Sequence, residues 1–168
     1  MIHVCSLAAL SDTVKAVGAS HVLTVMANVD QVQRPVSVLS ANHLKVQMDD
    51  ITEQTDGFVA PSDSHIEQVL SFVRGWDRSA PLVVHCYAGI SRSTASAFAA
   101  VCALNPHRDE ISIARQIRAA SPIASPNRLI VSLADKALGR EGRMLRALDE
   151  MGLGSMTVEG RPFRIDLE

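Results

Sequence analysis

The sequence predicts an α/β fold with a central, mostly parallel, twisted sheet of four to five strands flanked by helices. Short runs of alternating apolar and β-branched residues predict strands at 2–7, 21–27, 43–48 and 81–86. Helical patterns lie between these strands and after them. Because strands that alternate with helices form parallel sheets covered on both faces, these two observations together indicate the fold class.

The first two helices have predicted ends. Ser11 is expected to cap the first helix, and Gly18 to end it. Ser64 and Glu67 match a capping box, which places the start of the second helix there. Apolar residues at helical spacing carry that helix to about Trp76. Each helix follows a predicted strand, as an α/β fold requires.

The second half of the chain is mainly helical. Ala, Phe and Val fill nearly every position of 91–104, which is typical of a buried helix. An amphipathic helix is predicted over 109–120, and a longer helical stretch covers 127–151. Gly139 and Gly142 are expected to split that last stretch.

Length and charge limit the domain organisation and the partners. The 168 residues suit a single domain, which we expect to span 1–153. The tail, 154–168, alternates apolar and polar residues, so we interpret it as a closing strand, a partner-binding strand or a frayed end. The net charge of -2 argues against a nucleic-acid or membrane partner.

The cysteines and the N-terminus indicate the compartment. The sequence has an odd number of cysteines at unrelated spacings, namely Cys5, Cys86 and Cys102. We therefore expect free thiols, with no disulfide framework and no metal or cofactor. Cys5 and Cys102 are interpreted as small core side chains. The sequence has no signal-peptide pattern and no apolar run of roughly 20 residues, and we expect a cytoplasmic protein.

One segment, VHCYAGISRST at 84–94, joins the fourth strand to the buried helix. Ligands of α/β sheets bind beyond the carboxyl ends of the strands, which is where Cys86 lies. The amides of the following loop are expected to converge on an anion at the helix N-terminus, with Gly89 allowing a left-handed conformation. The residues of this loop are Tyr87, Ala88, Gly89, Ile90 and Ser91.

The residues beside this loop complete the predicted site. Arg92 lies in the first helical turn, where its planar guanidinium can hold two phosphate oxygens. Because these groups stabilise negative charge, we expect Cys86 to be a thiolate nucleophile at neutral pH. Ser93 can donate a hydrogen bond to the Cys86 sulfur and improve it as a leaving group. His85 is expected to orient the loop and not to transfer protons.

These residues resemble the signature of the cysteine-dependent protein tyrosine phosphatases, His-Cys, five residues and Arg, and AGISRS is most similar to the dual-specificity branch of bacterial type. The resemblance extends over roughly 20–135. The segment HLKVQMDD looks like the strand before the family's acid loop. The segment IARQIRAASPIASPN looks like the helix and turn that follow the signature. It implies a protein tyrosine phosphatase-like fold. It also implies Cys86 as nucleophile, Arg92 and the backbone of 87–91 as phosphate binders, Ser93 as the thiolate's hydroxyl partner and Asn127 as a residue that fixes the loop.

The resemblance implies an aspartic acid that protonates the leaving oxygen, a step typically worth about 10²- to 10⁴-fold in rate. Asp50 follows its strand as the family's acid does, but it lies 36 residues before Cys86, against about 30 in the family. Asp56 has the better spacing and the poorer context, and Asp49 is a third candidate. We favour Asp50, which makes EQTDGFVAPSD an extension of the acid loop. Weaker candidates are Glu53 and Asp63.

The expected function is hydrolysis of phosphate monoesters in two steps through a Cys86 phosphoenzyme. The span 87–91 carries no lysine, which favours phosphotyrosine or phosphoserine/threonine over inositol phosphates. A phosphorylated protein or a small phosphate monoester is therefore the expected partner. The alternatives are a phosphopeptide-binding module without turnover, a phosphoinositide or inositol phosphate phosphatase, and a sulfurtransferase or arsenate reductase.

Overall fold

The computed structural model describes residues 1–167 and contains one five-stranded sheet in the order β3-β2-β4-β1-β5. The first four strands are parallel, and β5 runs antiparallel to β1 at the edge. This confirms the predicted α/β fold and its mostly parallel sheet. The strands are β1 Ile2–Ser6, β2 His21–Met26, β3 His43–Gln47, β4 Leu82–Cys86 and β5 Phe163–Ile165.

Among the described residues, six α-helices cover the sheet. They are α1 Leu10–Val17, α2 Asp63–Gly75, α3 Arg92–Leu104, α4 Glu110–Ala120, α5 Arg128–Ala137 and α6 Arg143–Met151. Helices α2 to α6 pack on one face of the sheet, and α1 with the β2–β3 connection packs on the other. Since successive strand residues point to opposite faces, Val84 lies in the larger core and Val83 in the smaller one.

The predicted caps of the first two helices are wrong. Ser11 lies inside α1, whose N-cap is Ala9, and Ser6 supplies a side-chain acceptor for the Ala9 amide. Ser64 lies inside α2, which Ser62 caps with its side chain. A cap requires extended backbone before the first turn, and the course of the preceding loop places Ser62 in that conformation.

The chain closes the sheet with its C-terminal residues. Among the three interpretations of the tail, the closing strand is the one that the structure shows. Ile165 is buried opposite Ile2, and Phe163 lies opposite Val4. This leaves β3 and β5 as the edges of the sheet. Within residues 1–167, none of the helices combines the length and apolar character that a bilayer crossing needs.

The sheet topology brings two segments together at one edge. Strands β3 and β4 both run parallel to β2, so the residues that follow their carboxyl ends lie on the same side. The first segment follows Cys86 and leads to α3, and the second follows Gln47 and contains Asp50. These two segments form the candidate active site.

Candidate active site

Five of the six carbonyl groups in residues 86–91, which we call the cysteine loop, accept hydrogen bonds from donors outside the loop. The His85 ring lies 3.3 Å from the Cys86 carbonyl. The other bonds run from Leu7 N to Tyr87 O at 3.0 Å, Gly160 N to Ala88 O at 2.8 Å, Ser125 N to Ile90 O at 3.0 Å and Asn127 N to Ser91 O at 3.3 Å. Because the C=O and N–H of one planar trans peptide point in opposite directions, outward carbonyls turn the amides inward.

The inward amides surround the thiol. The Gly89 amide donates to Cys86 Sγ at 3.3 Å. Within the described residues, the amides of Tyr87, Ala88, Ile90 and Ser91 donate to no protein acceptor. Converging free amides at the N-terminus of a helix are a binding site for an anion, and this one is centred on the sulfur.

Gly89 is required at its position for two reasons. Its φ of 73° lies in the left-handed region, which side chains with a Cβ rarely adopt. A Cβ there would also lie 2.8 Å from Cys5 C and Ser6 N, in the backbone of β1. The cysteine loop therefore packs directly against the end of β1.

Cys86 ends β4 and Arg92 begins α3, on either side of residues 87–91. Cys86 Sγ lies 3.1 Å from Ser93 Oγ, and both residues are buried. Arg92 Nη1 donates to Met48 O at 2.9 Å, which ties α3 to the end of β3. Within residues 1–167 the buried Arg92 Nε has no hydrogen-bond partner, so this donor suits an anionic oxygen.

Asp50 is the acid candidate that the structure brings to the cysteine loop. Its Oδ1 accepts hydrogen bonds from Ser91 Oγ and from Asn127 Nδ2, each at 2.8 Å. Asn127 also donates to Ile51 O and caps α5 through its side-chain oxygen. Asn127 therefore joins the cysteine loop, the segment that carries Asp50 and the start of α5.

The other acid candidates lie elsewhere. Asp49 is paired with Val59 through two bonds, from Asp49 N to Val59 O and from Val59 N to Asp49 Oδ2, both at 2.7 Å. This pair closes residues 49–59, which we call the aspartate loop. Asp56 and Glu53 are exposed in it, and Asp63 begins α2 and pairs with Lys136. The structure brings none of these four carboxylates into hydrogen-bond contact with the cysteine loop.

Behind the cysteine, three side chains form a hydrogen-bond chain across the sheet. Thr24 Oγ1 lies 2.6 Å from His85 Nε2 and 2.8 Å from His43 Nε2. A carbonyl can only accept, so His85 Nδ1 carries the proton toward Cys86 O, and neutral His85 then accepts from Thr24. Thr24 in turn accepts from His43 Nε2. This leaves a lone pair on His43 Nδ1, the atom that is buried without a partner among the described residues.

Burial determines the charge state of the two histidines in this series of hydrogen bonds. Burial lowers the pKa of His85 to about 4, against the smaller opposing effect of its bond to Cys86 O. Burial, with Lys45 and Arg34 nearby, also lowers the pKa of His43 to about 4. Both rings are therefore neutral at pH 7, and the role of His85 in orienting the loop stays a prediction. Thr24 and His43 were not predicted from the sequence, although a threonine inside the apolar strand β2 was a signal for a buried polar contact.

The two remaining cysteines have the environment of core residues. Burial raises the pKa of Cys5 to about 12, although a hydrogen bond with Thr13 opposes this. Burial also raises the pKa of Cys102 to about 12, on the inner face of α3. Both thiols stay protonated at neutral pH, so neither is available as a nucleophile.

The chemistry of the cysteine loop is not repeated elsewhere in the part of the chain that the structure describes. A cavity of about 680 Å³ lies between α1 and β5, but its lining contains neither a cysteine nor a loop of free amides. Across residues 1–167, no cluster of three or more His, Cys, Asp or Glu side chains is arranged to hold a metal ion. The cysteine loop is therefore the candidate catalytic centre.

The sequence matches a family profile over the region that contains this site. A profile described as protein-tyrosine phosphatase matches residues 12–122, about two-thirds of the chain. The chain belongs to the protein-tyrosine phosphatase family. This confirms the family expected from the signature around Cys86. A search of curated protein sequences found no significant match.

Solved phosphatase structures share the fold at low sequence identity. DUSP15 is 20% identical with a TM-score of 0.62, and the alignment covers 92% of this chain and 94% of DUSP15. Human DUSP28 is 18% identical with a TM-score of 0.62, covering 83% and 89%. The PTP-2 phosphatase of Cydia pomonella is 18% identical with a TM-score of 0.63, covering 80% and 84%. This phosphatase-family chain thus has the fold of the dual-specificity phosphatases.

Proposed function

We propose that this protein is a phosphatase that hydrolyses phosphate monoesters of proteins through a Cys86 phosphoenzyme. The observation that carries the proposal is the cysteine loop, whose free amides surround a sulfur that also contacts Ser93. Membership of the protein-tyrosine phosphatase family supports the same chemistry.

In the first step, Cys86 Sγ attacks phosphorus and the bond from phosphorus to the leaving oxygen breaks. The loop amides and the Arg92 guanidinium hold the other phosphate oxygens as negative charge builds on them. The free amides of the loop and the unpartnered Arg92 Nε support this role, because donors that are oriented before the substrate binds stabilise the transition state without rearranging. The products of this step are the freed alcohol or phenol and a thiophosphate ester on Cys86.

Asp50 supplies the proton that the leaving oxygen needs. Ser91 and Asn127 both donate to its Oδ1, so the protonated form of Asp50 carries its hydrogen on Oδ2. Both donors hold the carboxyl group beside the cysteine loop, so Ser91 and Asn127 act as positioning residues for it.

In the second step, water attacks the thiophosphate and Asp50 takes a proton from that water. The bond from phosphorus to sulfur breaks, which releases inorganic phosphate and regenerates the Cys86 thiolate. The Ser93 hydroxyl, 3.1 Å from the sulfur, stabilises the thiolate that leaves.

The charges around the site support a protein substrate. Residues 87–91 contain no basic side chain, and the aspartate loop carries four acidic residues and none that is basic. These acids repel a ligand with several phosphates, such as an inositol phosphate, more strongly than a single phosphate monoester. The exposed aromatic rings of Tyr87 and Phe58 lie on the cysteine loop and the aspartate loop, where they can contact an aryl phosphate.

The direct test is hydrolysis of 4-nitrophenyl phosphate with two cysteine variants. Cys86→Ser is expected to reduce kcat by at least roughly 10⁴-fold, because the alcohol is a far weaker nucleophile than the thiolate. Cys102→Ala changes an equally buried cysteine outside the site and should keep the wild-type rate. Equal loss in both variants, or substantial turnover by Cys86→Ser, would contradict the proposal.

A panel of substrates then separates the proposed class from its alternatives. Phosphotyrosine peptides should be hydrolysed with higher kcat/KM than inositol phosphates, and the reverse order would assign the site to inositol phosphates. A wild-type protein that binds a phosphopeptide but releases no phosphate would be a binding module. Sulfur transfer from thiosulfate in place of phosphate release would identify a sulfurtransferase.

A further inference from the structure

The segment between α6 and β5, residues 152–162, lies against the outside of the cysteine loop, and we call it the C-terminal strap. At its start, the amides of Gly154 and Ser155 donate to Ser125 Oγ and Pro122 O, each at 3.0 Å. At its end, β5 pairs with β1. The family profile ends at residue 122, so the strap lies outside the matched region.

The strap holds the peptide that contacts the sulfur. The amide of Gly160 donates to Ala88 O at 2.8 Å, and Gly160 is buried. The same peptide group carries the Gly89 N–H, which donates to Cys86 Sγ. Fixing the carbonyl outward therefore fixes the amide inward, toward the thiol.

The strap also holds the end of β1. Ser6 Oγ donates to Glu159 Oε1 at 2.6 Å, and Ser6 lies opposite Cys86 in the sheet. The next residue along the chain, Leu7, donates its amide to Tyr87 O at 3.0 Å. Through Ser6 and Leu7, Glu159 is connected to the neighbouring peptide of the cysteine loop.

We propose that the C-terminal strap sets the anion-binding shape of the cysteine loop, with Gly160 and Glu159 as positioning residues. The inference rests on the proposed function, since it assigns these residues to the same site. Neither residue touches the sulfur, and each acts through the orientation of a loop peptide.

Gly160→Ala tests the first contact. The added Cβ would lie 2.9 Å from Ile123 Cδ1, 3.0 Å from Gly89 O and 3.3 Å from Ala88 O, so the strap must move away from the loop. We expect tungstate, a phosphate-like oxyanion, to bind roughly tenfold more weakly by calorimetry, and kcat/KM for 4-nitrophenyl phosphate to fall by a similar factor. Val158→Ala, at a fully exposed strap residue, is the matched control and should equal wild type.

Glu159 provides a second test, because the direction in which tungstate affinity changes distinguishes two explanations. If Glu159 positions the loop, Glu159→Ala weakens tungstate binding, whereas Glu159→Gln keeps an oxygen acceptor for Ser6 and restores it. If Glu159 acted only as a nearby negative charge, both substitutions would tighten tungstate binding. This test does not require Gly160→Ala to fold.

The outcomes separate this inference from the proposed function. Wild-type tungstate affinity in both Gly160→Ala and Glu159→Ala overturns the strap's role, even if the wild-type protein is an active phosphatase. Weakened binding in these variants and rescue by Glu159→Gln support it, even if the wild-type protein proves to bind oxyanions without turnover. A wild-type protein that binds no tungstate overturns both.

Discussion

The cysteine loop and the aspartate loop follow neighbouring parallel strands of one sheet, yet they are held in different ways. Apart from a bond with Ala95 in α3, the cysteine loop makes its backbone bonds with Leu7 after β1, with the strap, and with Ser125 and Asn127. The aspartate loop bonds mainly with itself, through the Asp49–Val59 pair and the bond from Phe58 N to Thr55 O. The loop proposed to hold phosphate is fixed by contacts with several parts of the fold, whereas Asp50, the proposed proton donor, lies on a loop whose described outside contacts are Ser91 and Asn127.

The largest effect is expected from a substitution in the aspartate loop. Asp50→Asn cannot donate or accept the catalytic proton, so kcat for an aryl phosphate with a poor leaving group should fall about 10²- to 10⁴-fold. Asp56→Asn, at an exposed position of the same loop, is the matched control and should stay near wild type. A larger loss in Asp56→Asn than in Asp50→Asn would transfer the acid role to Asp56.

The two loops each contain a glycine with positive φ. Alanine substitutions at these two glycines therefore compare how tightly the loops are packed. Gly89→Ala introduces strain and a contact with the β1 backbone, so kcat/KM should fall by roughly 10²-fold. Gly57→Ala has a similar φ of 81° but nothing within 4 Å of the added Cβ, so only a small loss is expected. Similar rates for the two variants would show that the cysteine loop is not packed as tightly as described.

A third test removes the support behind the cysteine loop. Thr24→Val takes the proton donor from His85 Nε2, which frees the ring to change tautomer and release Cys86 O. We expect kcat/KM to fall roughly three- to tenfold, with an altered pH profile for alkylation of Cys86 by iodoacetamide. Thr24→Ser keeps the hydroxyl and should restore both. Wild-type behaviour of Thr24→Val would show that the hydrogen bonds linking His85, Thr24 and His43 do not affect catalysis.

The smallest expected effect is on stability. Burial lowers the pKa of His85 to about 4, below its unfolded value, so the unfolded chain takes up this proton first as pH falls. His85 therefore contributes stability that is complete above about pH 6.5 and is lost as pH falls toward 4. His85 should account for about 1 kcal/mol of the stability that urea unfolding shows to be lost between pH 7 and 5.5, and His43, whose pKa is also lowered by burial, adds to that loss. The slope should be smaller in His85→Asn and unchanged in His107→Gln, a substitution of an exposed histidine.

Local patterns were sufficient for much of the fold. Alternation placed the four parallel strands within a residue of their observed ends, and Gly18 and the pair Gly139 and Gly142 marked real helix boundaries. The caps at Ser11 and Ser64 failed because more than one residue near each helix start could precede the first turn, and the observed N-caps are Ala9 and Ser62. Which of them precedes the first turn depends on the path of the incoming loop, and that path is set by packing elsewhere in the molecule.

The sequence by itself was enough to propose the cysteine, the glycine and the arginine of the candidate site, because their fixed spacing at a strand-to-helix turn has a local chemical meaning. Tertiary structure decided which carboxylate lies beside the cysteine loop, since Asp49, Asp50 and Asp56 differ in contacts and not in residue type. It also decided the roles of Thr24 and the C-terminal strap. Those residues reach Cys86 only through hydrogen bonds between segments far apart in the chain, and no local pattern records such bonds.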